Sequence, residues 1–237
     1  AGLFWVGAVP RSAGRHDHQR GTVSPMMRST LLWLSERQSI FNFVRRNRLA
    51  KRFASRFVAG ETIGTAVEAA RDLESRGIAS TLDLLGESVA EVADADQARD
   101  TYIAILREMR DAGVEVNASV KLTQMGFDVD EARCEANLRQ ILAVAQEVGG
   151  FVRIDMESSD YTQRTLDFHR RLAVDFAPHT GVVIQSALRR SPADIDDLIA
   201  SGTRVRLCKG AYLEPESVAL PDKKDVGAQY VRLMERL

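Results

Sequence analysis

Cysteine and histidine are scarce in this sequence, which limits the kinds of site that it can build. Its 237 residues include two cysteines, Cys134 and Cys208, whose spacing matches neither a metal motif nor a disulfide framework. A reducing compartment is therefore expected, and we predict a cytoplasmic location. The four histidines lie in the N-terminal segment or on or just after a predicted helix, so the sequence supports no metal site: His16, His18, His169 and His179.

Long apolar runs are also missing. No segment approaches the roughly 20 apolar residues of a membrane-spanning helix, and the apolar segment Leu3 to Val9 is too short for a convincing signal peptide. The net charge of −1 gives no general attraction to nucleic acid. Residues 1–56 nevertheless contain 11 Lys and Arg but two acids, so a basic N-terminal segment precedes an acidic body. No recognition motif accompanies this basic segment, and we expect no nucleic-acid partner.

The N-terminal third of the chain has no strand pattern. Residues 1–24 lack periodicity and are predicted to form a disordered or irregular tail. Residues 25–78 are predicted to form an N-terminal helical arm, because Leu49, Phe53 and Phe57 recur every four residues among basic ones. Two interpretations remain open: the apolar stripe packs on the main body, or the helix lies on anionic lipid, peripheral to the inner membrane.

Between residues 79 and 237, apolar runs alternate with helical stretches. The runs predicted as strands are Thr81–Glu87, Val116–Met125, Phe151–Glu157, Gly181–Ala187 and Arg204–Tyr212. The stretches predicted as helices are Asp94–Ala112, Asp130–Val148, Thr162–Phe176, Pro192–Ala200 and Val226–Leu237. At one helix start, Ser191 is predicted to cap the helix before Pro192. This alternation indicates βαβ units and a parallel sheet.

The faces of the predicted strands decide between an open sheet and a barrel. An open parallel sheet has helices on both sides, so its strands are apolar nearly throughout. Here three of the runs alternate, and one face of each is polar or charged: Asn117, Ser119, Lys121, Arg153, Asp155, Glu157, Arg204 and Arg206. A barrel interior that binds a polar ligand accounts for this face, so we predict an α/β fold of the (β/α)₈ barrel class.

The predicted barrel is incomplete. A closed barrel of this class has eight strands, whereas five are predicted here and the sequence ends inside a predicted helix without a stop signal. We therefore expect residues 79–237 to be a partial (β/α)₈ barrel from a longer protein. We also expect that this polypeptide alone would neither fold stably nor catalyse a reaction.

Polar residues near the carboxyl ends of the predicted strands are the candidates for a site, because barrel enzymes keep their sites at that end. They are Lys121, Asp155, Gln185, Arg206 and Lys209. Since the group contains cations, a carboxylate and an amide but no nucleophile with a base, it suits an anionic substrate or a phosphate-bearing cofactor.

Structural interpretations of the same residues stay open. Lys121 could extend out of the barrel end, Asp155 and Arg206 could form a structural ion pair, and Gln185 could satisfy backbone groups. Glu157 is interpreted as the partner of a neighbouring cation.

Several segments resemble proline dehydrogenase, a flavoprotein family. The most specific is Arg204-Val-Arg-Leu-Cys-Lys-Gly-Ala-Tyr212, and Ser119-Val-Lys-Leu-Thr-Gln-Met-Gly126 and Val152-Arg-Ile-Asp-Met-Glu157 accompany it. Ser80-Thr-Leu-Asp-Leu-Leu-Gly-Glu87 and Val183-Ile-Gln-Ser-Ala-Leu188 resemble the family's first and fourth barrel strands. The resemblance covers about residues 50–237 in order, and the segments before it have no match.

The resemblance implies a reaction and its partners. The family holds FAD non-covalently in a distorted (β/α)₈ barrel, oxidises L-proline to Δ¹-pyrroline-5-carboxylate, and passes the electrons to a membrane quinone. Pyrroline-5-carboxylate dehydrogenase, which consumes the product on the way to glutamate, is the implied functional partner.

The resemblance also implies roles for individual residues. Lys121 is expected beside the substrate carboxylate, Asp155 is expected to pair with active-site cations, and Arg206 is expected near the reactive nitrogen of the flavin. The residues expected to contact FAD are Met156, Gln185, Arg206, Cys208, Lys209 and Gly210. Tyr212 is expected either in the pocket wall or in the core.

One departure from the family pattern concerns the substrate clamp. The family has a Tyr-x-x-Arg-Arg helix and a Thr-His segment, and neither occurs in these 237 residues. Two rival interpretations therefore stay open. The chain could belong to another flavin- or phosphate-binding barrel that acts on a different small amino acid, or it could be an inactive barrel-derived module.

Overall fold

Within the described part of the chain, six strands form one sheet in which neighbours in sequence are neighbours in space. The computed structural model describes residues 3–10, 62–86 and 88–237. The strands are β1 (Leu3–Pro10), β2 (Ile78–Leu85), β3 (Asn117–Val120), β4 (Phe151–Ile154), β5 (Thr180–Gln185) and β6 (Arg204–Cys208). β2 to β6 run parallel in the order of the sequence, whereas β1 pairs antiparallel with β2.

Helices connect the parallel strands and pack on one face of the sheet. They are α1 (Ile63–Ser75), α2 (Val92–Asp111), α3 (Glu131–Glu147), α4 (Ser159–Phe176), α5 (Ser191–Ala200) and α6 (Lys223–Met234). A short 3₁₀ turn, Ala177–His179, joins α4 to β5. The five predicted strands and five predicted helices are confirmed as β2 to β6 and α2 to α6, and together they form half of a curled (β/α)₈ barrel.

Local sequence signals set the helix starts, and the prediction for the start of α5 is wrong. The carboxylate of Asp130 accepts a hydrogen bond from the Arg133 amide at 3.0 Å, which caps α3. Ser191 does not cap α5 as predicted. It is the first helical residue, and its hydroxyl donates to the Gln185 carbonyl at 2.6 Å, which ties the helix start to the end of β5.

The N-terminal prediction is wrong for one segment. Residues 1–24 were expected to be irregular, yet Leu3–Pro10 forms β1 along the whole length of β2. Phe4 is buried there, which accounts for the pairing since apolar burial favours the strand. Within the predicted arm at 25–78, α1 is helical as expected, whereas the predicted amphipathic helix at 29–58 lies outside the described residues.

The two faces of the sheet have different contents, and this difference positions the site. Side chains on the outer face are apolar and fully buried against the helices: Leu82, Ala118, Val120, Val152, Ile154 and Val182. On the inner face, one row of directly paired residues crosses five strands: Asp83, Ser119, Arg153, Gly181 and Arg204. No described helix is long and apolar enough to cross a membrane.

Candidate active site

The ends of β3, β4 and β6 bring three predicted site residues together. Lys121 and Asp155 follow β3 and β4 directly, and the Asp155 amide donates to the Val120 carbonyl at 2.9 Å. This hydrogen bond continues the β3–β4 ladder and sets Asp155 beside Lys121. Arg206, in β6, reaches Asp155 across the intervening strand β5. The alternation of polar and apolar residues in the sequence therefore correctly predicted that Lys121, Asp155 and Arg206 lie at the same end of the sheet.

Two ion pairs occupy this convergence. The Arg206 guanidinium donates to Oδ1 of Asp155 in a close contact, and the Lys121 ammonium donates to Oδ2 of Asp83 at 3.2 Å. All four side chains are partly or largely shielded from solvent. The ion pair that was left open for Asp155 and Arg206 is thus present, whereas Lys121 is held within the barrel end and does not extend out of it.

Asp83 belongs to the site although the sequence analysis gave it no role. Its side chain is 7% exposed, and burial raises the pKa of the carboxyl above its usual range, with Lys121 acting in the opposite direction. The nearby charge of Asp155 adds to the rise. The signal that could have found Asp83 is the one used for the other strands, since a lone acid alternates with Leu82 and Leu84 in β2.

Two further arginines line the inner face one layer deeper than Arg206. The Arg204 guanidinium lies 3.9 Å from the centre of the Phe151 ring, and that of Arg153 lies 5.1 Å from it. Within the described residues neither has a carboxylate partner. Burial, and then the charge of Arg206, lower the pKa of Arg153 to about 10. The inner wall therefore carries an excess of positive charge at this depth.

Glycine makes room for this layer. A Cβ on Gly181 would lie 2.8 Å from the Phe151 ring and would collide with the Arg204 carbonyl. Gly181 is paired with Arg153 on one side and Arg204 on the other. The bare backbone at this position leaves room for the Phe151 ring beside the two guanidiniums, which a larger residue would remove.

The side chain of Gln185 connects the ends of β5 and β4. Its amide nitrogen donates to the Met156 carbonyl at 3.2 Å and to the Glu157 carbonyl at 2.7 Å. The interpretation that Gln185 satisfies backbone groups is confirmed. Met156 is 6% exposed and belongs to the hydrophobic cluster under the helices, while its backbone carbonyl accepts from Gln185.

The segment after β6 runs close over Gln185. The Ser186 and Ala187 amides donate to the Cys208 and Lys209 carbonyls at 2.8 and 2.9 Å, which extends the β5–β6 pairing beyond both strands. Gly210 then turns with a φ of +102°, and a Cβ there would lie 2.7 Å from the Gln185 side-chain oxygen. The segment thus presents an open backbone surface beside a buried amide.

Cys208 and Lys209 differ in what they offer. Burial raises the pKa of the Cys208 thiol, so this thiol stays protonated and unreactive at neutral pH. Lys209 is exposed, and its ammonium lies 6.0 Å from the centre of the Tyr230 ring. Of the two, only Lys209 has a free charge to offer a ligand at the rim.

The interpretation of Glu157 needs correction, and one of the two alternatives for Tyr212 is excluded. Glu157 was interpreted as the partner of a cation, but its carboxylate accepts from the Thr123 hydroxyl at 2.7 Å and the Thr123 amide at 3.3 Å. Tyr212 is 46% exposed, which excludes the core position, and its place in the pocket wall stays a prediction. Partial burial, followed by the charges of Glu157 and Asp155, raises the pKa of Tyr212.

Fold and site together define a class of protein. They describe half of a (β/α)₈ barrel whose carboxyl end, where enzymes of this fold keep their sites, gathers two cation–carboxylate pairs. Comparison with known proteins narrows this class. The family model described as "Proline dehydrogenase" matches residues 66–225, so the chain belongs to the proline dehydrogenase family.

Individual relatives agree with the family model. The chain is 38% identical to proline dehydrogenase of Deinococcus radiodurans over 216 residues, which cover 90% of this chain and 69% of the relative. It is 34% identical to proline dehydrogenase 1 of Bacillus subtilis strain 168, covering 89% of this chain and 69% of the relative. The chain thus spans about two thirds of the length of these relatives.

Solved structures support the fold. Proline utilization A (PutA) from Bdellovibrio bacteriovorus superposes with a TM-score of 0.70 at 24% identity, covering 79% of this chain and 24% of that protein. The Bradyrhizobium japonicum PutA mutant D778Y gives a TM-score of 0.63 at 23% identity, covering 80% and 23% respectively. At this identity the likeness extends to the half-barrel alone, and the chain spans about a quarter of either protein.

Proposed function

We propose that this chain contributes the FAD-binding wall and part of the substrate site of an enzyme that oxidises L-proline to Δ¹-pyrroline-5-carboxylate by hydride transfer to FAD. The observation that carries the proposal is the side-by-side placement of two ion pairs, Lys121–Asp83 and Arg206–Asp155, at the carboxyl end of the half-barrel. One pair serves the substrate and the other serves the cofactor.

Lys121 binds the substrate carboxylate. Its ammonium has three N–H groups, of which one faces Asp83, so the others are available to a ligand. The site is partly shielded from water, which makes the attraction between ammonium and carboxylate stronger than it is on an exposed surface. Binding through the carboxylate fixes the orientation of the ring, which hydride transfer requires.

The surplus positive charge assists the chemical step. Hydride leaves the carbon beside the amine only when the nitrogen is neutral, and nearby cations disfavour its ammonium form. Arg153 and Arg204 supply this field from the deeper layer, and neither has a carboxylate partner among the described residues. The side chains of this chain therefore hold and polarise the substrate without forming a covalent bond to it.

The rim fits FAD. Gly210 leaves its backbone uncovered beside Gln185, where a Cβ would collide, and such an uncovered backbone is what a flat ring system needs for close approach. The groups that would hold FAD are the Met156 backbone, the Gln185 amide, the Arg206 guanidinium and the Cys208-Lys209-Gly210 segment. FAD, when bound, supplies the two-electron acceptor for the hydride.

Arg206 and Asp155 act as a unit on the cofactor side. Arg206 provides a fixed positive charge where negative charge develops during the reaction, which lowers the barrier because the charge is already in place. Asp155 holds the guanidinium in this position from the neighbouring strand end. Without Asp155 the long Arg206 side chain would occupy several rotamers.

The electrons and the product need acceptors outside this chain. A membrane quinone accepts the electrons, so the protein works in the cytoplasm with peripheral contact to the inner membrane. Pyrroline-5-carboxylate dehydrogenase consumes the product. These partners follow from the family resemblance, and they are tested by assaying turnover with a soluble quinone and with a dye acceptor in parallel.

Anaerobic reduction of the flavin tests the proposed function. The protein is expressed from its complete gene, purified, and mixed without oxygen with L-proline, hydroxyproline or pipecolate. Loss of the oxidised-flavin absorbance with L-proline at the lowest concentration supports the proposal. A protein that binds no flavin contradicts it, and a preference for pipecolate or hydroxyproline favours the alternative barrel enzyme for another small amino acid.

A further inference from the structure

Asp83 lies behind Lys121, and each of its oxygens has a different partner. Oδ2 accepts from the Lys121 ammonium at 3.2 Å, and Oδ1 accepts from the Tyr102 hydroxyl at 3.2 Å. Asp83 lies on the inner face of β2, whereas Tyr102 comes from α2 on the helix side. The carboxylate is therefore clamped between a core tyrosine and a pocket lysine.

On the side that faces the core, Tyr102 and its neighbours hold the Asp83 carboxylate rigidly. Tyr102 is fully buried, and its hydroxyl accepts from the Leu84 amide at 3.3 Å. Gln124 lies 3.4 Å from the same hydroxyl and donates to the Leu84 carbonyl at 3.2 Å. Burial raises the pKa of Tyr102, so its hydroxyl remains a donor at every physiological pH. These contacts fix the direction in which Asp83 points.

We propose that Asp83, braced by Tyr102, is a positioning residue that fixes the Lys121 ammonium for binding the substrate carboxylate. This inference rests on the proposed function of Lys121. A free lysine side chain loses rotamer entropy when a ligand immobilises it. Holding Lys121 in place before binding removes much of that loss, so the ligand binds more tightly to the ordered lysine.

A purely structural ion pair would behave differently. Replacing a partly buried pair by uncharged groups is often neutral for stability, whereas a positioning pair affects ligand binding through its partner. Coupling between the two residues distinguishes these cases. If Asp83 acts by positioning Lys121, replacing Asp83 must not change ligand affinity when Lys121 is absent.

The test is a double-mutant cycle on ligand binding in the protein expressed from its complete gene and loaded with FAD. The probe is tetrahydrofuran-2-carboxylate, which keeps the ring and carboxylate of proline but has oxygen in place of the amine. Its dissociation constant is measured by calorimetry for the wild type, Asp83→Asn, Lys121→Met and the double variant. We expect Asp83→Asn to weaken binding about tenfold when Lys121 is present, and less than about twofold in the Lys121→Met background.

A second substitution tests the role of Tyr102, and a control variant tests whether the effect on binding is specific to this site. Tyr102→Phe removes the brace and keeps the ring, so we expect binding to weaken about threefold when Lys121 is present and to be unchanged in the Lys121→Met background. If Asp83→Asn fails to fold, Tyr102→Phe carries the test. The control is Asp175→Asn, which breaks the exposed Arg139–Asp175 pair of 2.7 Å far along the chain and should leave binding unchanged.

The outcomes separate this inference from the proposed function. A wild-type protein that binds neither FAD nor the probe contradicts the proposed function and removes the basis of the inference. Normal wild-type binding with equal effects of Asp83→Asn in both backgrounds overturns the inference alone. Tighter binding by Asp83→Asn also overturns it, because Asp83 would then be competing with the ligand for Lys121.

Discussion

The inner and outer faces of the half-barrel are built from the same five parallel strands, but the outer face buries apolar side chains whereas the inner face carries charged ones. On the outer face Ile154 and Val182 are fully buried in an apolar layer that stabilises the fold through the hydrophobic effect. On the inner face Asp155 and Arg206 are shielded charges, whose desolvation roughly offsets their attraction. The outer face therefore stabilises the fold, whereas the ion pairs of the inner face add little to its stability.

The largest effect that would sharpen this comparison comes from the inner face. Arg206→Met removes the fixed charge on the cofactor side, and we expect the rate of flavin reduction by L-proline to fall about 1000-fold. Stopped-flow measurement of the reduction rate at saturating proline checks this. The outer-face neighbour Val205→Ala is the control, and a similar loss of rate in that variant would show that the two faces are not functionally distinct.

A substitution on the outer face should lower the stability of the protein and leave substrate binding unchanged. Ile154 is fully buried, so Ile154→Ala is expected to lower the free energy of unfolding by about 3 to 4 kcal/mol through lost burial and a residual cavity. Chemical denaturation measures this change. The KM for proline should stay within about twofold, since Ile154 points away from the site. A large rise in KM at unchanged stability would contradict the division between the faces.

A buried histidine behind the sheet makes the outer layer sensitive to acid. His169 on α4 is 2% exposed, its Nε2 has no hydrogen-bond partner, and burial lowers its pKa from 6.5 to about 4. Because the folded pKa is depressed, the neutral ring favours the folded state above pH 6.5, and this contribution is lost as the pH falls from 6.5 towards 4.

We expect the loss to reach about 3 kcal/mol at pH 4. Denaturation curves at several pH values should therefore fall less steeply between pH 6.5 and 4 for His169→Leu than for the wild type. Parallel curves for the two proteins would show that His169 titrates normally and is not buried behind the sheet.

The smallest effect concerns the rim of the inner face. Gly210→Ala would set a Cβ 2.7 Å from the Gln185 side-chain oxygen at a φ of +102°, so the segment must shift. We expect the dissociation constant for FAD to rise about tenfold. Gly227 is the control, because a Cβ there meets nothing within 4 Å, and Gly227→Ala should leave FAD affinity unchanged. Equal effects at both positions would argue against a cofactor site at Gly210.

Much of this comparison could be predicted from the sequence because strand periodicity alone assigns each side chain to a face. The alternation at residues 153–157 and 204–206 placed Asp155 and Arg206 on the inner side, and the structure brings them into contact. Element ends were less predictable. The runs through Lys121 and Asp155 read as strand to residues 125 and 157, whereas β3 and β4 end at Val120 and Ile154.

Two other contacts between distant segments could not be predicted from strand periodicity. Tyr102 binds Asp83 across 19 positions from a different element, and nothing in helix periodicity distinguishes a buried tyrosine that donates to the site from one that packs. The pairing of Leu3–Pro10 with β2 was missed for a similar reason, since a short apolar segment is read as a strand only when a partner edge is known.

The division between the faces is tested most directly by a crystal structure of the protein expressed from its complete gene with FAD and tetrahydrofuran-2-carboxylate. We predict the ligand carboxylate within hydrogen-bonding distance of the Lys121 ammonium, and FAD against Arg206, Gln185 and Gly210. Both ligands bound elsewhere, with Lys121 and Arg206 contacting protein alone, would contradict the account.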